Sequence, residues 1–507
     1  MKSLKYFKWV ILFLLLKIHI QSYSQTCFNR SYYLPAQDSL ERTEGFVPSI
    51  ELPDSSYLVV GQSWNFNTGN TKLIVSHLNS YGDTVEWKAY YKDGWFPSPA
   101  SIEKQYDNNY IIGASVSSYL NDSTRFFIQK INSSGDSLWS HEYSSSLKKT
   151  TFRKLICTQD SGLLMVGWSG NAQNQPGLMY VIKTDSLGNE EWTHFYGDTS
   201  NFNVGTCAIE LNNSGYFLLG WTAYMNTYDR DIVVIKIDQL GNELWQQEHG
   251  NPGFLDNAER IRKLRDGNLL IAGVKCLGPS VNENGKAYLL KIDTAGFVLW
   301  SKIYGSYVGQ DLYDFYELND SSIISGTFAW ISQNPSINAG MLLKTDYNGD
   351  SLWMKTYRFD STSQNGNDYI SDFIPTLDGG YLLCGQTSSS GSGTQDGWML
   401  KVDSLGNYCS NSTVSADEIS KLNSEIKLYP NPASNYARIK FPPDKYNILF
   451  SVKILDVTAR EIYSDYFLPS NNESIYPFNV SRLKTGIYFI QITCQNSKSM
   501  KVLVKVE

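Results

Sequence analysis

Apolar residues fall in short runs along this chain, four to eight residues long and bounded by Gly, Asn, Asp and Ser. Seven of these runs end on a glycine: Gly61, Gly113, Gly167, Gly220, Gly273, Gly326 and Gly385. After each comes a loop, a second apolar run of the type "LLKxD", and a second glycine. These second glycines are Gly82, Gly135, Gly188, Gly241, Gly296, Gly349 and Gly406, at intervals of 53, 53, 53, 55, 53 and 57 residues. A final run, "LWxxxYG", completes the unit. Runs this short, aromatic and β-branched, predict strands, and a fixed beat of this length predicts an array of one supersecondary unit. The unit is four antiparallel strands. Asn, Asp and Gly between the third and fourth supply the positive φ that a tight hairpin demands.

A four-stranded sheet cannot bury both its faces alone, but sheets stacked radially cover one another. Seven such units predict a seven-bladed β-propeller. Six of the seven turn glycines are followed by a tryptophan: Trp87, Trp139, Trp192, Trp245, Trp300 and Trp353; after Gly406, Ser410 stands in its place. A large ring one strand past the turn can fill the gap between sheets. These indoles are expected to be buried structural wedges, for which truncation to Ala costs ~3–5 kcal/mol. The Lys/Asp, Gly and Trp at this spacing resemble the Trp-docking turn of quinoprotein-type and related propellers. Residues 45–410 as a whole resemble the propeller arrays of exported Bacteroidota proteins. That resemblance implies an architecture and leaves the activity open.

The seventh unit has no "LWxxxYG" strand after Gly406. A spare strand-like piece, "TCFNRSYYLP", precedes the first unit. It is expected to supply the missing outer strand, so that residues 25–410 close on themselves. Cys27 lies in this piece and Cys409 follows the last turn. A disulfide between them is expected in an oxidising compartment. The cysteine total of seven is odd, and the other five are read as small buried residues.

Residues 1–24 read as a secretory signal peptide: Lys2, Lys5 and Lys8, then an apolar run from Trp9 to Leu16, then Ser22 and Ser24. Its alternative, a membrane anchor, needs about 20 apolar residues, and Lys17 interrupts the run. Loss of this segment takes the formal charge from −7 to −11. Residues 425–507 hold 11 Lys/Arg against 7 Asp/Glu, so −15 falls on the segment between. Such an acidic body has no electrostatic footprint for nucleic acid. The charge step also sets the tail apart as a module.

A polar linker, residues 411–424, leads to that tail. Its sequence "SEIKLYPNPASNYARIKF" is followed by "SVKILDVTAREIY", "VSRLKTGIYFIQI" and "SKSMKVLVKVE". The alternating runs predict a small β-sandwich with one buried face. The stretch closely resembles the type A C-terminal sorting domain of the type IX secretion system. The matching residues are Tyr429, Pro430, Asn431, Pro432, Gly486, Tyr488, Lys501 and Lys505. The resemblance implies export through the periplasm by that machinery, to the medium or the outer-membrane surface. An adhesion or carbohydrate-binding sandwich is the alternative. The fold class expected is therefore all-β, a seven-bladed propeller followed by a small sandwich.

Candidate chemistry is sparse. Outside the leader the histidines are His77, His141, His194 and His249, three of them at repeat positions, and no HExxH, GxSxG or phosphate loop occurs. The recurrent acids Asp185, Asp238, Asp293, Asp346 and Asp403 belong to the turn. No metal, cofactor or catalytic residue is expected. Loops between the second and third strands emerge on one face and vary, as recognition loops do. They carry Trp64, Phe66, Tyr119, Tyr224, Tyr228 and Trp330, which could stack on a glycan or grip a protein; exposed loop aromatics without a ligand are the alternative. A monomeric interaction protein without a transmembrane segment is expected. The alternative is a propeller enzyme, a quinoprotein-like dehydrogenase or a carbohydrate-active enzyme. A deep central pocket with converging carboxylates would favour the enzyme.

Overall fold

The turn glycines set the fold. In a computed structural model of the chain, all seven have φ between 70° and 90°. Each ends a hairpin in which an Asx side chain is already committed: Asp185 Oδ1 accepts from the backbone N–H of Leu187 and of Asn189, both at 2.8 Å. The structure describes residues 26–506 except 33–40, 66–70, 91–93, 119–122, 172–175, 213, 226–228, 251–252, 277–284, 306–308, 334–335, 361–366, 390–394, 409–425, 442–449, 457–460, 468–474, 482 and 495–496.

These hairpins build an all-β ring of seven blades, numbered here from the N-terminal side. Blade one is Glu41–Glu51, Tyr57–Asn65, Thr71–Leu78 and Thr84–Tyr90, paired in that order. Blades two to five repeat this meander from Trp95 to Tyr304. Blades three and four touch through one parallel pair, Gly177 with Phe202. In blade six the innermost strand is broken into Gly309–Gln310 and Asp314–Glu317. Blade seven takes three strands from Asp368–Pro375, Tyr381–Thr387 and Asp396–Val402. Its fourth comes from the other end of the chain: Phe28–Tyr32 pairs antiparallel with Asp396–Val402, Phe28 opposite Lys401. Phe28 and Tyr32 share a buried cluster with Tyr57 and Val59 of blade one and Leu382 and Met399 of blade seven.

Two contacts explain the recurring letters. The lysine of the third strand turns inward and meets the aspartate of the first hairpin in its own blade. Lys183 reaches Asp160 at 2.8 Å and Lys401 reaches Asp378 at 2.9 Å, both ammonium groups almost wholly buried. The tyrosine that ends the outer strand donates its hydroxyl to the carbonyl of the next blade's turn glycine. Tyr143 bonds Gly188 at 2.6 Å, Tyr196 Gly241 at 2.6 Å, Tyr304 Gly349 at 2.7 Å and Tyr357 Gly406 at 2.9 Å. Tyr90 donates likewise to Gly135, and Tyr32 closes the ring on Gly82 at 2.7 Å.

The tryptophan expectation needs two corrections. Trp139, Trp192, Trp245, Trp300 and Trp353 are half-buried, each packed on the margin of a core cluster instead of inside it. They lie on the outermost strand, whose far side is solvent, and reach over the next blade's turn. Trp192 donates its indole N–H to the carbonyl of Gln239 at 3.0 Å. Trp87 is not equivalent to them and is 37% exposed. The extra residue in "GDTVEW" shifts it by one, so Glu86 faces His77 where Trp192 faces Lys183. One residue of slip sends a strand side chain to the opposite face.

The chain divides into two compact units, residues 1–408 and 409–507. The second is a β-sandwich. One sheet is Lys427–Tyr429, Tyr436–Lys440 and Ile475–Asn479; the other is Glu461–Phe467, Phe450–Leu455, Gly486–Cys494 and Ser497–Lys505. Between them Ile439, Val452, Ile454, Ile490, Ile492 and Leu503 are buried. Cys27 is disulfide-bonded, whereas Cys409 lies outside the described residues.

Tyr196→Phe is expected to lower the stability of the ring by about 1–2 kcal/mol, the net worth of a buried hydroxyl bond and its orphaned carbonyl. The check is the urea midpoint at unchanged slope. Trp192→Ala should cost roughly 2 kcal/mol, below the range for a wholly buried indole, because part of the ring stays in water. A larger loss for the tryptophan variant than for any core Leu→Ala variant would contradict this placement.

Candidate functional site

The innermost strands are irregular in a regular way. Register shifts occur between Pro99 and Ser101, Phe152 and Lys154, Gly205 and Cys207, Ala258 and Arg260, and Ile370 and Asp372. The extra residues are Ala100, Arg153, Thr206, Glu259 and Ser371. A bulge sets two residues against one and re-aims a side chain. In blade six the break in the inner strand has the same effect and releases Asp311 to Tyr313. Of these, Ala100, Arg153, Thr206, Glu259, Ser371 and Tyr313 line one cavity of about 360 Å³, together with Arg260 and others, so that its walls come from blades two to seven. Walls from six blades place it on the axis of the ring.

Ion pairs between neighbouring blades brace the walls. Arg262 Nη2 and Arg260 Nε of blade five hold Asp314 of blade six at 2.8 and 3.1 Å. Lys154 of blade three holds Glu103 of blade two at 2.6 Å. The backbone N–H of Ser49 donates to Asp372 Oδ2 at 2.9 Å, joining blade one to blade seven.

The site's carboxyls divide into two kinds. Asp314 lies below the usual carboxylate range because the Arg260 and Arg262 charges outweigh its burial. Asp372 is pushed up to about 6 by burial and by the charge of Asp314. Glu259 is raised by burial, with Arg153, Arg260 and Arg230 opposing. Asp311 is raised well above its ordinary value, by burial first and then by the charge of Glu259. Its Oδ1 is buried without a hydrogen-bond partner. Burial also pushes the Tyr313 hydroxyl up, so it stays a donor at neutral pH.

Of the loop aromatics, the two whose side chains are described, Tyr224 and Trp330, are not among the residues that line this cavity. Phe66, Tyr119 and Tyr228 lie outside the described residues, as does the side chain of Trp64. Tyr224 donates its hydroxyl to Glu248 at 2.6 Å in blade four. Trp330 sits in blade six opposite Asn338, with its indole N–H buried and unpartnered. Two of the histidines serve the frame: His194 Nε2 meets the Leu240 carbonyl at 3.0 Å and His77 Nε2 meets Ser56 Oγ at 3.0 Å. The bulge residues share a fixed place in the repeat. Arg153, Thr206, Glu259 and Ser371 each stand fourteen residues before the recurring glycine inside the second strand, Gly167, Gly220, Gly273 and Gly385. Their letters vary, so an alignment on recurring residues passes over them.

In the second unit, Asn431 ties its loop to the last strand. Its Nδ2 donates to the Val502 carbonyl at 2.7 Å and its Oδ1 accepts from Val504 N–H at 2.8 Å. Tyr488 donates to the Lys484 carbonyl at 2.8 Å. Lys505, 6% exposed, packs inward.

Residues 427–506 match the secretion system C-terminal sorting domain. They form a type IX sorting domain, and the protein is exported to the cell surface or the medium. Among the described residues no helix is long and apolar enough to cross a membrane. An endo-acting ulvan lyase of Formosa agariphila is 28% identical over 166 residues, 31% of this chain and 28% of that protein's length. Among solved structures, the chain is similar to a PL25 polysaccharide lyase, an ulvan lyase bound to -[GlcA(1-4)Rha3S]-. The TM-score is 0.47 at 9% identity, over 74% of this chain and 96% of that one. It is also similar to the β-propeller domain of the Trilobed protease from Pyrococcus furiosus, with TM-score 0.42 at 11% identity, over 75% of this chain and all of that one.

The pH dependence follows from the raised carboxyls. A carboxyl whose folded pKa exceeds its unfolded value stabilises the fold below about 4, and this contribution is lost as pH rises through the folded value. For Asp372 the window runs from the ordinary carboxylate value up to about 6. The melting temperature is therefore expected to gain from acidification between pH 7 and pH 5, and Asp372→Asn should reduce that gain. An unchanged slope in the variant would show that Asp372 is ionised throughout.

Proposed function

We propose that the exported ring recognises a carbohydrate in its central channel. The observation that carries this reading is the lining of the axial cavity. Arg153, Thr206, Glu259 and Ser371 offer donors and acceptors spaced around a concave wall, and Tyr313 offers a ring. A cavity of about 360 Å³ falls in the range that encloses a small ligand and is too confined for a flat protein surface. A sugar needs many directional hydrogen bonds and one or two apolar faces, and this wall supplies both. The partial likeness to an ulvan lyase, a protein that acts on a polysaccharide, supports the same class. The loop face remains the second reading, on the strength of Trp330, whose indole N–H has no partner.

Calorimetric titration of the full chain with ulvan oligosaccharides and with xylan oligosaccharides tests the two. Binding by at least one set is expected. Thr206→Trp, which would fill the channel, should weaken it at least tenfold, whereas Tyr224→Ala and Trp330→Phe should leave it unchanged. The reverse pattern would move the site to the loop face.

A further inference from the structure

Most cations near the axis have a structural partner. Lys154 holds Glu103 at 2.6 Å. Arg260 and Arg262 share Asp314. Arg230 donates to Asn257 Oδ1 at 2.6 Å and lies over the Trp221 ring, 4.2 Å from its centroid. Arg153 differs. It is the extra residue of the blade-three bulge, it lines the axial cavity, and it is exposed. It forms no hydrogen bond or ion pair among the described residues. A bulge that aims a guanidinium into a concave wall where no acid grips it leaves that group to a ligand.

The charges around the cavity do not cancel. Arg260 and Arg262 stand against the single carboxylate of Asp314, which leaves one positive charge over. Glu259 is the one acid among the described residues that line the cavity. Arg153, Arg260 and Arg230 all act on it, and burial opposes its ionisation. Asp372 and Asp311 do not line the cavity. Burial disfavours the charge of both, and Asp372 is pushed up to about 6. The segment between leader and tail carries −15, so a cationic wall on its axis is a local arrangement and not a result of composition. The two lining charges also stand apart. Arg153 comes from blade three and Glu259 from blade five, at equivalent bulges, with Thr206 of blade four between them.

We propose that the channel takes an acidic carbohydrate, a sugar bearing a carboxylate or sulfate group, and that Arg153 binds that group. This rests on the carbohydrate reading of the cavity and names the class of sugar. The planar guanidinium offers parallel N–H donors that match two oxygens of either anion. The Tyr313 hydroxyl lies within the field of Arg153 and stays a donor at neutral pH. Arg260 adds positive charge from the same wall. Glu259 repels the anionic group and accepts from neutral sugar hydroxyls. The ligand thus has one orientation, with its acidic group toward blade three and its hydroxyls toward blade five.

The test is calorimetric titration of the full chain at pH 7 with probes that separate the groups. Trigalacturonate carries carboxylates alone, κ-carrageenan oligosaccharides carry sulfates alone, ulvan oligosaccharides carry both, and linear xylan oligosaccharides carry neither. At least one acidic probe is expected to bind about tenfold or more tightly than xylan, the worth of one charge-assisted bond. Its affinity should fall as sodium chloride rises from about 50 mM to about 500 mM. Arg153→Gln should remove the preference over xylan. Arg153→Lys, which keeps the charge and loses the fork, should fall between the two. Thermal melts establish that both variants are folded. A preference confined to trigalacturonate assigns the group as carboxylate, and one confined to κ-carrageenan as sulfate; either supports the proposal. Xylan bound as tightly as every acidic probe, or a preference that survives in Arg153→Gln, overturns it and leaves carbohydrate recognition standing. Binding by no probe overturns the carbohydrate reading itself.

Discussion

One hydrogen bond, repeated around the ring, holds the blades in sequence: a tyrosine hydroxyl on one blade meets the carbonyl of the next blade's turn glycine. Tyr357 with Gly406 shows why both letters recur. The glycine takes a φ of 70°, and a Cβ there would come within 2.8 Å of the Tyr357 hydroxyl and 2.9 Å of the Trp353 ring. A side chain at that point would push the two blades apart. Blade four is the exception. His249 stands in the tyrosine's place with its Nε2 unpartnered, and Gln247 bonds the Ala295 carbonyl at 3.1 Å instead. The seam between blades four and five thus rests on a more exposed contact than its neighbours.

The same bond accounts for closure. Tyr32 reaches Gly82 as Tyr143 reaches Gly188, and Phe28 lies over Gly82 as Trp353 lies over Gly406. Residues 28–32 are therefore an outer strand written without its tryptophan. Edge strands left open invite pairing with other chains, and a strand borrowed from the opposite terminus removes that edge.

Much of this was legible in the order of residues. Two glycine beats and alternating apolar runs establish seven four-stranded units, because positive φ and strand periodicity leave few alternatives. The motif from Tyr429 to Pro432 likewise marks the sorting sandwich, where Asn431 proves to pin the last strand. Trp87 misled because its letter recurs while its register does not. The channel was illegible for the opposite reason. Arg153, Thr206, Glu259 and Ser371 share a position and differ in chemistry, and a bulge leaves no mark in the apolar pattern. The residues that repeat build the ring, and those that vary at one fixed place face its axis. Function is expected where the scaffold's rules hold in geometry and lapse in identity.

The most direct measurement of this division is a crystal structure of the protein soaked with a bound oligosaccharide. The account predicts density for the sugar on the axis of the ring, against Glu259 and Tyr313 and within reach of Arg153. Density confined to the outer face of the loops, against Tyr224 or Trp330 with the axial cavity empty, would contradict it.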